Sequence, residues 1–170
     1  MPDLLTHLLV GASIALLVCR DDNRPEQMLI ILGALLIDIE RPITWLLSWM
    51  NLEWIGLTSA THSLLGAVVL SYFAAACFNL ESTGFQRKVF LIILGCTSHL
   101  LLNLLMYPWV ELGLYLLYPL KIPFSFNLFW PDFLWYPLIG VACFLSAYLI
   151  RTIRVHLRLH RNQFETQVKP

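Results

Sequence analysis

Residues 89–107 read Val-Phe-Leu-Ile-Ile-Leu-Gly-Cys-Thr-Ser-His-Leu-Leu-Leu-Asn-Leu-Leu-Met-Tyr. The run contains no Asp, Glu, Lys or Arg, begins behind Arg87-Lys88 and stops at Pro108. About 20 apolar residues in helical conformation cross the hydrocarbon of a bilayer, so this stretch reads as a membrane span. An ionisable residue, His99, sits inside it, about 15 Å from the Val89 end at the helical rise per residue. Such groups are costly in a bilayer, face a bundle interior and mark function.

The rest of the chain agrees. Its 170 residues are 58% hydrophobic and 13% charged, with a mean hydropathy of +0.70. A soluble domain is nearer half apolar and a quarter charged. Five spans are expected: Leu4–Cys19, Met28–Ile37, Thr61–Leu80, Val89–Tyr107 and Phe133–Ile150. The second is too short to cross alone, so it either continues past Asp38 or the apolar stretch 43–57 folds back beside it. Residues 108–131 are apolar but carry Pro108, Pro119, Pro123 and Pro131, which suggests a short helix and an interfacial loop. The expected fold class is an all-α multispanning transmembrane bundle with interfacial or reentrant helices on the outer side. Residues 1–150 form one transmembrane domain and 151–170 a basic cytoplasmic tail. Cys19, Cys77, Cys96 and Cys143 lie singly in apolar runs with no CxxC pair, as packing residues do. No cleavable signal peptide is expected, because the first apolar run lacks a basic flank and a small-residue exit. A net charge of zero gives no reason to expect nucleic acid.

Basic residues set the orientation. Arg20, Arg24, Arg87, Lys88, Arg151, Arg154, Arg158, Arg161 and Lys169 fall on one side, and Arg41 and Lys121 on the other. The positive-inside rule puts the first side in the cytoplasm, with the N-terminus outside and the C-terminus inside. Trp45, Trp49, Trp54, Trp109, Trp130 and Trp135 then form an apolar platform at the outer leaflet.

Polar residues gather at that same side. His7 lies one turn inside span one, Asp38 and Glu40 at the outer end of span two, and His62 at the start of span three. Asn103 lies one turn beyond His99, and Asp132 precedes span five. Histidine with carboxylate is the donor set that suits zinc and similar divalent metals. Asp3 is expected to cap the first helix, and Thr61 the third. Arg41 precedes Pro42 and is disfavoured in α conformation, so the second helix is expected to end near Asp38. Glu40 either joins the site or pairs with Arg41 or solvent. Asp132 is assigned to substrate binding or to capping span five.

Four motifs follow in order: Thr6-His7, Ile37-Asp38-Ile39-Glu40, Thr61-His62-Ser63-Leu64, and Ser98-His99 with Asn103 four residues on. Over residues 1 to about 120 they resemble a family of LexA-binding, inner-membrane-associated metal-dependent hydrolases. That family shows T-H, P-D-x-D, H-R-G-x-T-H-S and S-H-x-x-x-D. Here Ile37 replaces the proline, Glu40 the second Asp, Leu57 and Thr58 the His and Arg, and Asn103 the last Asp. The resemblance implies a metal site of His7, Asp38, Glu40, His62 and His99, with Asn103 as a further candidate.

The expected function is a membrane-bound hydrolase acting on an ester or phosphoester, lipid-linked, at the outer leaflet. A divalent metal, zinc first, is its cofactor; Glu40 is the general base, and Asn103 places substrate or a ligand. The alternatives are a non-catalytic membrane scaffold that keeps the fold, and a small transporter. A transporter needs polar groups through the whole depth, and the inner half of these spans has few.

Overall fold

The computed structural model describes residues 3–20, 23–50, 55–78, 80, 83–105, 114–126, 128 and 135–168. The described residues form seven α-helices and no β-strand: α1 (Leu4–Val18), α2 (Arg24–Leu36), α3 (Glu40–Trp49), α4 (Ile55–Thr61), α5 (Leu64–Cys77), α6 (Phe85–Leu105) and α7 (Trp135–Val168). The five expected spans appear as α1, α2, α5, α6 and α7. Two of them, Phe85–Leu105 and Trp135–His160, are long and apolar enough to cross a bilayer unaided, whereas Leu4–Val18 and Leu64–Cys77 are apolar but shorter. The architecture is that of a helical membrane protein. No helical break falls at residue 150, because α7 continues to Val168.

Capping fixes where the helices begin. Asp3 caps α1 as expected: its Oδ1 accepts from Thr6 N at 2.7 Å and its Oδ2 from Thr6 Oγ1 at 2.9 Å. The α5 cap differs from expectation. Thr61 is the last residue of α4, and Ser63 caps α5 by accepting from Gly66 N at 2.9 Å. His62 therefore sits in the break between two helices rather than in a first turn. Ser63 is the better placed cap because its extended backbone turns its oxygen onto the free amides of the new helix.

The second helix also departs from expectation. Its α-helical ladder gives way at Ile37–Ile39 to a 3-10 turn and resumes at once as α3, with Arg41 helical. Pro42 falls in the first turn of α3, where an N–H would have no intrahelical acceptor, so its missing donor costs nothing. The chain thus continues past Asp38, the first of the two routes open to the short span.

The bundle has two distinct ends. Glu26 on α2 receives two hydrogen bonds from Arg87 on α6, at 3.2 and 3.0 Å, so the starts of these helices lie together. Lys88 Nζ donates to Phe78 O beyond the end of α5 at 2.8 Å, and Arg154 Nη1 to Leu17 O near the end of α1 at 3.3 Å. Arg87, Lys88 and Arg154 thus lie at one end, and His7, His62 and His99 lie toward the other. Helix α2 meets α6 at paired glycines. A Cβ on Gly33 would stand 2.1 Å from Ile92 O, and one on Gly95 2.1 Å from Ile30 O. Small residues let helix backbones approach closely in membranes, and here the approach surrounds the core of Ile30, Leu91 and Ile92.

Residues 114–126 contain no helix. Leu114 pairs with Phe124 in an isolated antiparallel bridge, and Leu64 N donates to Leu116 O at 2.9 Å. Phe126 N and Leu128 N donate to Leu104 O and Leu105 O at 2.9 and 3.0 Å. This loop thereby satisfies the last carbonyls of α6, which have no acceptor role left inside the helix. The expected short helix in 108–131 is not present among the described residues of that stretch; prolines and the bridge direct the loop instead.

Candidate metal centre

Four helical segments bring the predicted residues to one point. His7 comes from α1, Asp38 from the 3-10 turn, His62 from the α4–α5 break and His99 from α6. All four are buried. His7, Asp38 and His99 each present a ligand atom within 4.8 Å of the others. The rings of His7 and His99 stack with centroids 3.7 Å apart and planes 12° from parallel. His62 joins through Asp38 Oδ1, which lies 3.5 Å from His62 Nε2 and 3.7 Å from His99 Nε2.

The protons on these rings follow from their partners. His99 Nδ1 lies 2.8 Å from Ala34 O. A carbonyl only accepts, so Nδ1 carries the proton and Nε2 a lone pair. His62 Nδ1 lies 3.1 Å from Thr58 O, which fixes the same tautomer. Both Nε2 atoms therefore turn lone pairs toward the Asp38 carboxylate. Neither has a hydrogen-bond partner, nor does either nitrogen of His7. Buried polar atoms are rarely left this way. Two lone pairs facing a carboxylate repel it, and a cation among them removes the conflict. A tetrahedral zinc with bonds near 2.0 Å would space its donors about 3.3 Å apart, close to the separations around Asp38. The spacing of His7, Asp38 and His99 would admit a divalent metal, and His62 stands close to Asp38 but outside that group of three.

The surroundings hold these donors in place. Arg41 Nε lies 2.9 Å from Asp38 Oδ1 in an ion pair. The Arg41 side chain is 41% exposed, so it reaches the carboxylate from the rim. Glu40 is buried. Its Oε2 accepts from Thr58 Oγ1 at 3.0 Å, and its Oε1 lies 3.9 Å from His62 Nδ1. It therefore stands on the Nδ1 edge of His62, behind the ring as seen from Asp38. Asn103, one turn beyond His99, keeps both amide atoms buried and unpartnered. Asp132 lies outside the described residues, as do Trp54, Trp109 and Trp130.

Thr58 and Ala34 escape a reading of residue types, and Arg41, expected as an alternative partner of Glu40, pairs with Asp38. Thr58 ties Glu40 to His62; its place four residues before His62, one helical turn away, is the signal that could have found it. Arg41 has the comparable signal, three residues after Asp38. Ala34 contributes a backbone oxygen, which leaves no trace in sequence.

A model of the YdjM inner membrane protein family matches residues 1–161. The chain belongs to that family. The match extends beyond the four motifs and takes in the basic stretch of α7 as far as Arg161. The family's description gives a location in the inner membrane and names no reaction. No curated protein and no solved structure matches the chain.

Proposed function

We propose that this chain is a multi-pass, metal-dependent hydrolase of the inner membrane, with its N-terminus outside and its C-terminus in the cytoplasm. The observation that carries the reading is the set of buried, unpartnered imidazole nitrogens directed at Asp38. His7, Asp38, His62 and His99 would hold the ion, and their nitrogen and carboxylate donors favour zinc. Bound there, the ion supplies Lewis-acid chemistry toward water and an ester or phosphoester oxygen.

The chain's own groups would do the rest. Ala34 O and Thr58 O hold the rings of His99 and His62 in the ligating tautomer, as partners of metal-bound histidines generally do. Glu40 is the remaining buried carboxylate, and we assign it the proton of the attacking water, relayed by a second water because Glu40 stands on the far edge of His62. Its hydrogen bond from Thr58 fixes one oxygen and leaves the other toward His62, so it also steadies that ring. Asn103 offers an amide to substrate or ligand, and Asp132 retains its assignment to substrate binding.

A lipid-linked substrate suits the apolar surface at this end. Trp45 and Trp49 on α3 are 70% and 80% exposed, with Leu120, Ile122 and Phe126 of the 114–126 loop also exposed. Side chains of this kind sit at a membrane interface. The test offers the purified protein, with zinc or after chelation, vesicles carrying phosphoester and carboxyl-ester lipids. Released phosphate, alcohol or fatty acid is read by mass spectrometry. Metal-dependent release that disappears in Glu40→Gln is expected. Metal binding without turnover of any ester would instead favour a non-catalytic scaffold.

A further inference from the structure

Two histidines stand apart from the buried centre. Of the five in the chain, His156 and His160 are exposed, on α7. They lie toward the end of the bundle where Arg154 bonds to Leu17 O. Residues four apart on a helix are neighbours on one face. The two Nε2 atoms converge to 3.3 Å, with the ring centroids 4.8 Å apart and the planes at 82°. The stretch Arg154-Val-His156-Leu-Arg158-Leu-His160 alternates arginine and histidine at every second residue. Residues two apart on a helix point about 160° apart, so the alternation sorts the two types onto different faces. Arg154 and Arg158 turn toward α1, where they line a cavity with Leu16, Leu17 and Cys19. Their charges are thereby kept from the histidine pair.

A single proton between the two Nε2 atoms makes an N–H···N hydrogen bond. An exposed imidazole exchanges that proton with water and carries it equally well on Nδ1, which leaves both Nε2 lone pairs directed at the space between the rings. Imidazole is the donor that suits zinc, copper and nickel, and two histidines four apart on one helix face are a recurrent way of holding zinc. A tetrahedral ion with bonds near 2.0 Å sets two donors about 3.3 Å apart, the separation already present here. The helix fixes that spacing, so the second ring binds intramolecularly once the first is engaged. We propose that His156 and His160 form a two-histidine chelate for a divalent transition-metal ion, with water in the remaining positions and copper held most strongly. Two exposed donors hold an ion less tightly than the four proposed at the buried centre, so gel filtration empties this pair first.

Chromatography of the full chain in detergent on immobilised nickel, without a histidine tag, tests this. The resin reaches only surface donors, so the outcome is independent of the buried centre. The wild type should be retained and should need roughly tenfold more imidazole to elute than His156→Ala or His160→Ala, since each variant leaves a single donor. Both side chains are exposed, so neither change disturbs packing. Leu157 is exposed as well. Leu157→His combined with His160→Ala keeps two surface histidines but sets them one residue apart, about 100° around the helix, and should elute with the single variants. Equilibrium dialysis against nickel should load the wild type with about one ion more per chain than either single variant. No retention of the wild type would overturn the proposal, as would equal retention in the single variants or in the displaced pair. So would equal nickel loading of the wild type and both single variants.

Discussion

His99 on α6 donates through Nδ1 to the carbonyl oxygen of Ala34 on α2, at 2.8 Å. One bond thereby joins the helix crossing to the polar centre. It forms because Gly33 and Gly95 bring the two backbones together, and it leaves Nε2 of His99 free to face Asp38.

Gly95→Ala should disturb both properties. Its Cβ would stand 2.1 Å from Ile30 O and 2.7 Å from Ala34 N, which are backbone atoms and cannot swing aside. Separation of α2 and α6 is expected to cost about 1–3 kcal/mol, as overpacking does. It should also weaken metal binding by lengthening the His99–Ala34 bond. Thermal unfolding in detergent and zinc competition on the same preparation check both effects. An unchanged melting temperature would show that the crossing is looser than described.

Thr58→Val removes the hydroxyl that donates to Glu40 and keeps the shape. The hydroxyl acts on His62 only through Glu40, so zinc binding should weaken by less than the roughly 10- to 100-fold typical of groups bonded directly to a ligand. Thr58→Ser should restore it. A valine variant with wild-type affinity would detach Thr58 and Glu40 from the metal centre.

The convergence of the polar residues was easier to read in the sequence than the groups that surround them. His7, Asp38, His62 and His99 were legible because ionisable residues in apolar helices are costly and conspicuous, and their shared depth follows from helical rise alone. The ends of the helices were less legible. The capping oxygen of Ser63 competes with that of Thr61 two residues earlier, and only the backbone turn at His62 decides between them. The path through Pro42 depends on a 3-10 turn that resets which amides need partners. The anchoring carbonyl of Ala34 belongs to the backbone and has no residue signature.

Asn103 lies one turn beyond His99 with both amide atoms unpartnered. A carboxylate there would add negative charge beside the metal. Asn103→Asp should therefore tighten zinc binding by about tenfold, in the range typical of groups supporting a metal site, while Asn103→Leu should mainly alter packing. Competition with a chromogenic chelator measures the affinities. Equal values for the wild type and Asn103→Asp would place Asn103 away from any ion.

The proposed orientation, with the N-terminus outside and the C-terminus in the cytoplasm, rests on the uneven distribution of basic residues along the sequence. Reporter fusions after Arg161 and near Lys121 should report the cytoplasm and the opposite compartment, respectively. A reporter after Arg161 that works only outside the cytoplasm would reverse the topology and the side on which the centre lies.

Elemental analysis of protein purified gently without chelators, and then supplied with zinc, bears most directly on the metal centre. The wild type should hold about one zinc per chain, the occupancy of one mononuclear site. His62→Ala and His99→Ala should each lose most of it, because each removes a direct donor. A folded wild-type protein that takes up no zinc or other divalent metal would contradict the account. Undiminished zinc in both histidine variants would contradict it equally.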